Sequence, residues 1–274
     1  MFKGSLKLLF LAGLVLLLSF SLTCKKPDTP SYTDVDAIKD YVNYHPDLFS
    51  ADVFDTSRAA PFFREITGRD FWIRIDFQNP DSLHLLKSAN VSWEDSIQGV
   101  FYTFISGTKY KKNFKAFSRV QAYFEQWGNA GDRYRGWLLM KISNAQIFSV
   151  PYSSGYSDLR INTSGTDSSV NLGGLYELKN ILQFSRSTQV KVTIQAQDTS
   201  DIYYLHIYER GAWKKLPFVK GTGSDFTTSW ITSYDPADLN VNKHAYVDRI
   251  WYKSVADTLS RYSSSAWGII YKIK

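Results

Sequence analysis

Cysteine occurs once in this chain of 274 residues, methionine twice and histidine four times. A lone thiol, Cys24, allows no intramolecular disulfide, so the fold must be held by core packing. The four histidines, His45, His84, His206 and His244, share no spacing that sets two of them on one helix or strand face. No zinc site is expected from them. Gly-x-Ser-x-Gly, a phosphate-binding Gly-Lys-Ser/Thr loop and His-Glu-x-x-His are all missing, so no catalytic residue, cofactor or metal ligand is assigned. Charge is modest, at 21% of residues and +6 net, or +4 once Lys3 and Lys7 are set aside. That excludes a dedicated nucleic-acid footprint. The densest basic run, residues 109–115 (KYKKNFK), reads as a solvated turn between two strands.

What the chain has in excess is aromatic: 18 Tyr, 18 Phe and 8 Trp, 16% of residues. Such side chains favour pleated, half-buried surfaces, so a mainly β protein is expected.

The N-terminus carries the sharpest pattern. Residues 1–7 are short and basic through Lys3 and Lys7, and residues 8–20 (LLFLAGLVLLLSF) carry no charge. Ser21-Leu22-Thr23-Cys24 follows, and then Lys25-Lys26-Pro27-Asp28-Thr29-Pro30. This is the layout of a secretory signal peptide, and a 13-residue apolar run falls short of the roughly 20 residues that span a bilayer. With its only cysteine at the cleavage point, the segment resembles a bacterial lipoprotein signal with its lipobox. The resemblance implies a diacylglyceryl thioether on Cys24 and cleavage before it, and Lys25-Lys26 lacks the Asp of inner-membrane retention, which favours an outer membrane. It departs from the usual lipobox in placing Leu22 two residues before the cysteine, Ser21 three before it, and the bulkier Thr23 next to it. Ordinary secretion and an uncleaved anchor are the other readings; all three put the remaining chain outside the cytoplasm. Residues 1–23 are therefore read as signal peptide and 24–33 as a lipidated tether.

Beyond the tether, Thr33-Asp34-Val35-Asp36 can cap a helix with Val35, Ile38 and Val42 on one face, stopping at Pro46. Pro61-Phe62-Phe63 could open a second short helix or a loop. Phe71, Ile73, Ile75 and Phe77 then alternate with polar residues as a strand does. Residues 100–105 read as a short strand ending at Ser106-Gly107. Residues 114–127 read as a long one, with Ala116, Ser118, Val120, Ala122 and Phe124 on one face. Residues 137–142 pair back. An α+β domain with a curved antiparallel sheet is expected over 34–150. Trp93-Glu94-Asp95, two long strands and Gly136-Trp137-Leu138 together resemble, over residues 91–143, the second half of an NTF2-like domain.

Residues 151–170 (PYSSGYSDLRINTSGTDSSV) are rich in Ser, Gly and Thr and read as a linker. Residues 171–274 show six or seven short strands, the count and spacing of a β-sandwich that is immunoglobulin-like in architecture only. Among local motifs, His45-Pro46-Asp47 matches the J-domain tripeptide but lacks the flanking long helices, and reads as a turn capping a helix. Glu94-Asp95 and Asp198/Asp201 are carboxylate clusters placed at turns.

Two functional readings result. One is a membrane-anchored, non-enzymatic binding or structural lipoprotein of the cell envelope, with an envelope protein or a polysaccharide as partner besides membrane lipid at Cys24. Trp213, Trp230 and Trp251 are its carbohydrate-contacting candidates. The other is a small-molecule or enzymatic pocket in the first domain, marked by Asp76, Arg119 or Tyr123 converging inside a cavity.

Overall fold

A computed structural model describes residues 31–49, 62–81, 85–150, 155–209 and 212–274; the leader, Cys24 and His84 lie outside them. Among the described residues no helix is long and apolar enough to cross a membrane.

The first helix, α1 (Asp34–Tyr44), starts at a capping box: Thr33 Oγ1 accepts from the Asp36 amide, and the Asp36 carboxylate accepts from the Thr33 amide. Ala37, Ile38 and Val42 are buried, whereas Val35, expected on the same face, is exposed. His45 caps the C-terminus and Pro46 opens the short α2 (Pro46–Phe49), so the His-Pro-Asp segment is the junction of two helices, with Pro46 and Asp47 in the second.

Three long strands follow: β1 (Phe62–Gln78), β2 (Ser88–Ile105) and β3 (Thr108–Gln126). At about 3.3 Å per residue they form an antiparallel meander close to 60 Å long. Phe62 and Phe63 already belong to β1 instead of opening a helix, because Phe62 packs inward on Phe101. The strand expected at 100–105 is only the last third of β2. The turn to β3 is Ser106-Gly107, both at positive φ (49° and 81°), which is the backbone that a two-residue hairpin needs. The basic run 109–115 therefore lies inside β3 and not in a turn. Its alternation sends Lys109, Lys111 and Lys115 outward and Lys112 inward.

The chain continues through β4 (Trp137–Ser143), β5 (Gln146–Ser149), β6 (Tyr156–Thr163), β7 (Thr166–Ser169), β8 (Leu175–Glu177) and β9 (Leu182–Phe184). The last third holds β10 (Gln189–Ala196), β11 (Ile202–Glu209), β12 (Ala212–Pro217), β13 (Val219–Lys220), β14 (Asp225–Ile231) and β15 (Asn242–Ile250). A short helix α3 (Tyr252–Ala256) precedes the final strand β16 (Ser264–Ile273). The fold is mainly β, as the composition predicts.

Eleven strands make one sheet, whose main path runs β1-β2-β3-β5-β16-β15-β11-β12; five make a second, ordered β13-β14-β10-β6-β7. The large sheet curls. Its first strand comes back over its last ones, so that the Phe62 ring lies 5.7 Å from Tyr204 of β11 and the Lys215 ammonium of β12 sits 3.7 Å above Phe62. Inside the curl pack Val91, Trp93, Val120, Phe124, Trp137 and Tyr246, closed at one end by Ile38, Val42 and Phe49 from the helices. Phe101, Phe114 and Tyr262 fill the other end. Gly99 is required there: a Cβ would meet the Glu65 carbonyl at 2.6 Å and the Phe114 ring at 2.7 Å.

On their opposite face β16, β15 and β11 pack against the five-stranded sheet, with Leu205, Val247 and Ile269 meeting Leu159, Val192 and Trp230 in one buried cluster. This is the sandwich. Its shared strands are covered on both sides, which is why Ala245–Ile250 and most of β16 are buried without a break. Of the segment 151–170, residues 151–154 lie outside the described residues and 155–170 carry β6 and β7. Leu159 and Ile161 alternate into the core while Ser, Thr and Asn face water, so the strand reads as polar. The large sheet does not stop between the halves, since the four residues of β5 are bonded to β3 on one side and β16 on the other.

Candidate functional site

Two groups of polar residues stand out, one inside the curl and one on its outer face. Inside, Arg64 of β1 is 5% exposed and Asp248 of β15 1%. The Arg64 guanidinium donates from Nη2 to Asp248 Oδ2 at 2.8 Å and from Nε to the Tyr262 hydroxyl at 2.6 Å. His206 Nε2 stands 3.3 Å from the same Asp248 oxygen, and the Tyr262 and Ser264 hydroxyls are hydrogen-bonded to each other at 2.5 Å. Burial by itself would raise the Asp248 pKa, but the Arg64 charge and the His206 hydrogen bond hold the carboxyl below its usual range. The space beside Arg64 and Asp248 is about 30 Å3, room for one water and not for a substrate. The cluster is a clasp between the first strand of the curl and its far side.

A second buried pair lies nearby. Arg249 donates to Asp201 Oδ2 at 2.7 Å, while the other Asp201 oxygen accepts the Tyr252 amide at the start of α3. Asp198 behaves differently, accepting from the amide and hydroxyl of Ser200 in a local turn. The two aspartates thus have separate structural tasks.

Glu94 and Asp95 are not at a turn but in the middle of β2. Adjacent strand residues point to opposite faces, so the two carboxylates cannot converge on one substrate. Asp95 faces inward and is fully buried against Arg69; burial lifts its pKa despite that partner. Glu94 faces outward.

The outer face of the meander is where Asp76, Arg119 and Tyr123 lie, and strand register arranges it in rows. One row runs Trp72, Glu94, Arg119, Gln146. The next is Arg74, Ser92, Gln121. A third runs Asp76, Asn90, Tyr123, Lys141, Glu177, crossing to β8. Glu94 organises the first row: it accepts from Arg119 Nε at 3.0 Å, Ser92 Oγ at 3.0 Å and Trp72 Nε1 at 3.1 Å. Two open depressions follow these rows and share Leu175. One of about 330 Å3 is lined by Arg74, Asp76, Asn90 and Arg119; the other, of about 680 Å3, by Tyr123, Glu125, Lys141 and Glu177.

Asp76, Arg119 and Tyr123 are therefore neighbours, but on the outside. Behind them the curl is packed with Trp93, Val120, Phe124 and Trp137, all in one buried cluster. Arg74, Asn90 and Gln121 share the face without having been singled out, although the same alternation carries them.

The three tryptophans expected as sugar contacts do not form a platform. Trp230 is buried in the sandwich at 5% exposure, and Trp213 is half-buried between Tyr208 and Tyr246. Trp251 is also half-buried, with the Lys253 ammonium 5.6 Å from its ring. The indole that borders the outer groove is Trp72, 38% exposed. Among the described residues no three His, Cys, Asp or Glu side chains stand close enough to hold a metal ion. His244 bonds the Asp47 carbonyl at 2.6 Å, a contact that docks α2 onto β15.

No protein-family model matches this chain, and no curated protein matches it.

Proposed function

We propose that the protein is an exported lipoprotein, held to a membrane of the cell envelope by acyl chains on Cys24, that binds an extended envelope partner along the outer face of its meander without transforming it. The observation that supports binding over chemistry is the state of that face. Among the described residues Trp72, Arg74, Asp76, Asn90, Arg119 and Gln121 stand exposed on it, so these groups do not exclude solvent from a reacting group. Its central carboxylate, Glu94, already accepts three hydrogen bonds. A row of guanidinium, amide and hydroxyl groups on rigid strands suits a polymer with many hydroxyl or acidic groups, such as a cell-wall polysaccharide, and Trp72 offers such a chain an apolar ring.

Two measurements test the two halves of this reading. Intact mass of the protein recovered from bacterial membranes should begin at Cys24 and carry acyl mass, and Cys24→Ala should abolish both; an unmodified Cys24 ends the anchoring claim. Insoluble cell-wall polysaccharide should sediment the parent protein at least tenfold better than the Arg74→Ala/Gln121→Ala variant. Equal sedimentation of the two ends the groove claim.

A further inference from the structure

We infer that the end of the meander where β1 and β3 finish and β2 and β4 start is a membrane-contacting surface, seated on the bilayer's own interface. This rests on the anchoring proposed above. Five large apolar side chains gather there: Leu85 is 83% exposed, Tyr44 71%, Trp127 60%, Leu138 50% and Tyr32 44%. Strand register puts the first set of them together. Gln78 pairs with Ser88, Ser88 with Glu125 and Gln126 with Trp137, so β1 ends, β2 begins, β3 ends and β4 begins at one level. The Gln126 amide bonds the Lys87 carbonyl at 2.8 Å, which ties the end of β3 to the residue that precedes β2. Tyr44 joins through Tyr134, whose ring is 6.3 Å away, with the Arg133 guanidinium near both.

An independent observation says what covers this end. The described chain begins there. Arg135 Nη1 donates to the Tyr32 carbonyl at 3.0 Å, and Asp34 is held by Lys87 Nζ at 2.5 Å and Arg135 Nε at 2.7 Å. Tyr32 is eight Cα-to-Cα steps from Cys24, a reach of at most about 28 Å. A lipid on Cys24 therefore keeps this end, and not the opposite one some 60 Å away, beside the headgroups. Trp and Tyr are the side chains that settle at such an interface, with an apolar body and a polar tip. Charge here is mixed, Lys39, Lys87, Arg133 and Arg135 standing among Asp34, Asp36, Asp40 and Asp132, so contact comes through apolar and aromatic groups and not through anionic lipid.

The test supplies the anchor chemically. The chain from Cys24 onward is coupled through that thiol to phosphatidylcholine vesicles carrying a maleimide lipid, and tryptophan fluorescence is followed with brominated acyl chains in the bilayer. The parent should show a quenched fraction that Trp127→Phe removes. Leu85→Ser/Tyr44→Ser should reduce it at least twofold, and adding phosphatidylglycerol should leave it unchanged. Quenching that is equal in the parent and Trp127→Phe overturns the inference. So does quenching that appears only with the anionic lipid. Because the anchor is synthetic, a positive result stands even where native protein proves unacylated, and the mass measurement alone then decides the anchoring claim.

Discussion

Arg64 and Asp248 are 184 residues apart in sequence, yet Arg64 Nη2 lies 2.8 Å from Asp248 Oδ2 with both side chains almost fully buried. The contact joins the outermost strand of the curled sheet to one of its central strands, β15. Breaking such a pair strands a charge in the interior. Arg64→Met should cost about 3–5 kcal/mol in urea unfolding, whereas Arg64→Met/Asp248→Leu should recover most of it. A single-variant loss below about 1 kcal/mol would show the clasp to be ornamental.

Acid should loosen the same clasp. The folded Asp248 carboxyl is held below its ordinary range, so its stabilising contribution is complete above the unfolded carboxylate pKa of about 4. It fades as pH falls through the lower, folded value. Asp95 works with the opposite sign: its folded pKa is raised, so it favours folding below the unfolded value and loses that contribution as pH climbs through the folded one. Urea midpoints measured from neutral pH to pH 3 should fall less steeply in Asp248→Asn than in the parent, and more steeply in Asp95→Asn. Parallel curves for all three proteins would refute the assignment.

Lys112 offers a local test. Its ammonium, buried at 7% exposure, donates to the carbonyls of Lys253 and Asp257 at the end of α3. A cation there complements the carbonyl end of the helix, adding to the Asp257 amide that the Lys253 carbonyl already accepts. Lys112→Met keeps the stem and removes the donor, and should cost about 1–3 kcal/mol. Lys111→Met, one residue away on the outer face, should stay within about 0.5 kcal/mol, and equal losses would count against the cap.

Gly99→Val should be poorly tolerated. Its side chain would press on the Glu65 carbonyl and on Phe114, which covers the strand at that point. Overpacking of this kind costs about 1–3 kcal/mol, here increased by a backbone atom that cannot rotate away. Thermal melts against Gly68→Val, where the nearest atom to a new Cβ is 3.8 Å off, provide the control; matched melting points would refute the steric reading.

How far these features can be read from the chain depends on whether a residue's partner is local. The face shared by Arg119, Gln121 and Tyr123 follows from alternation in β3 alone, because its other face, from Ala116 to Phe124, is small or apolar. The hairpin at Ser106-Gly107 is equally legible, but the basic run after it misleads: lysines look like a turn until β3 is known to have a wet side. β6 escapes for the same reason, its Leu159 and Ile161 being outnumbered by Ser, Thr and Asn. Early β2 escapes because Asp95, Gly99 and several serines interrupt its apolar set. The continuity of the large sheet hangs on four residues of β5, too few to carry a periodic signal. Arg64, Asp248 and His206 could not be grouped beforehand, since nothing local marks which distant strands the curl will bring together.

The placement of β16 has a consequence for how the molecule is made. It bonds β15 and β5 along its sides and β9 at its end, and its alternate residues enter two different interiors. Neither interior can be sealed before residues 264–273 emerge, although most of their walls are synthesised much earlier. Until then the meander exposes one greasy flank with no lining to match it. Assembly should accordingly be slow and all-or-none, with both halves gaining protection from solvent at the same moment.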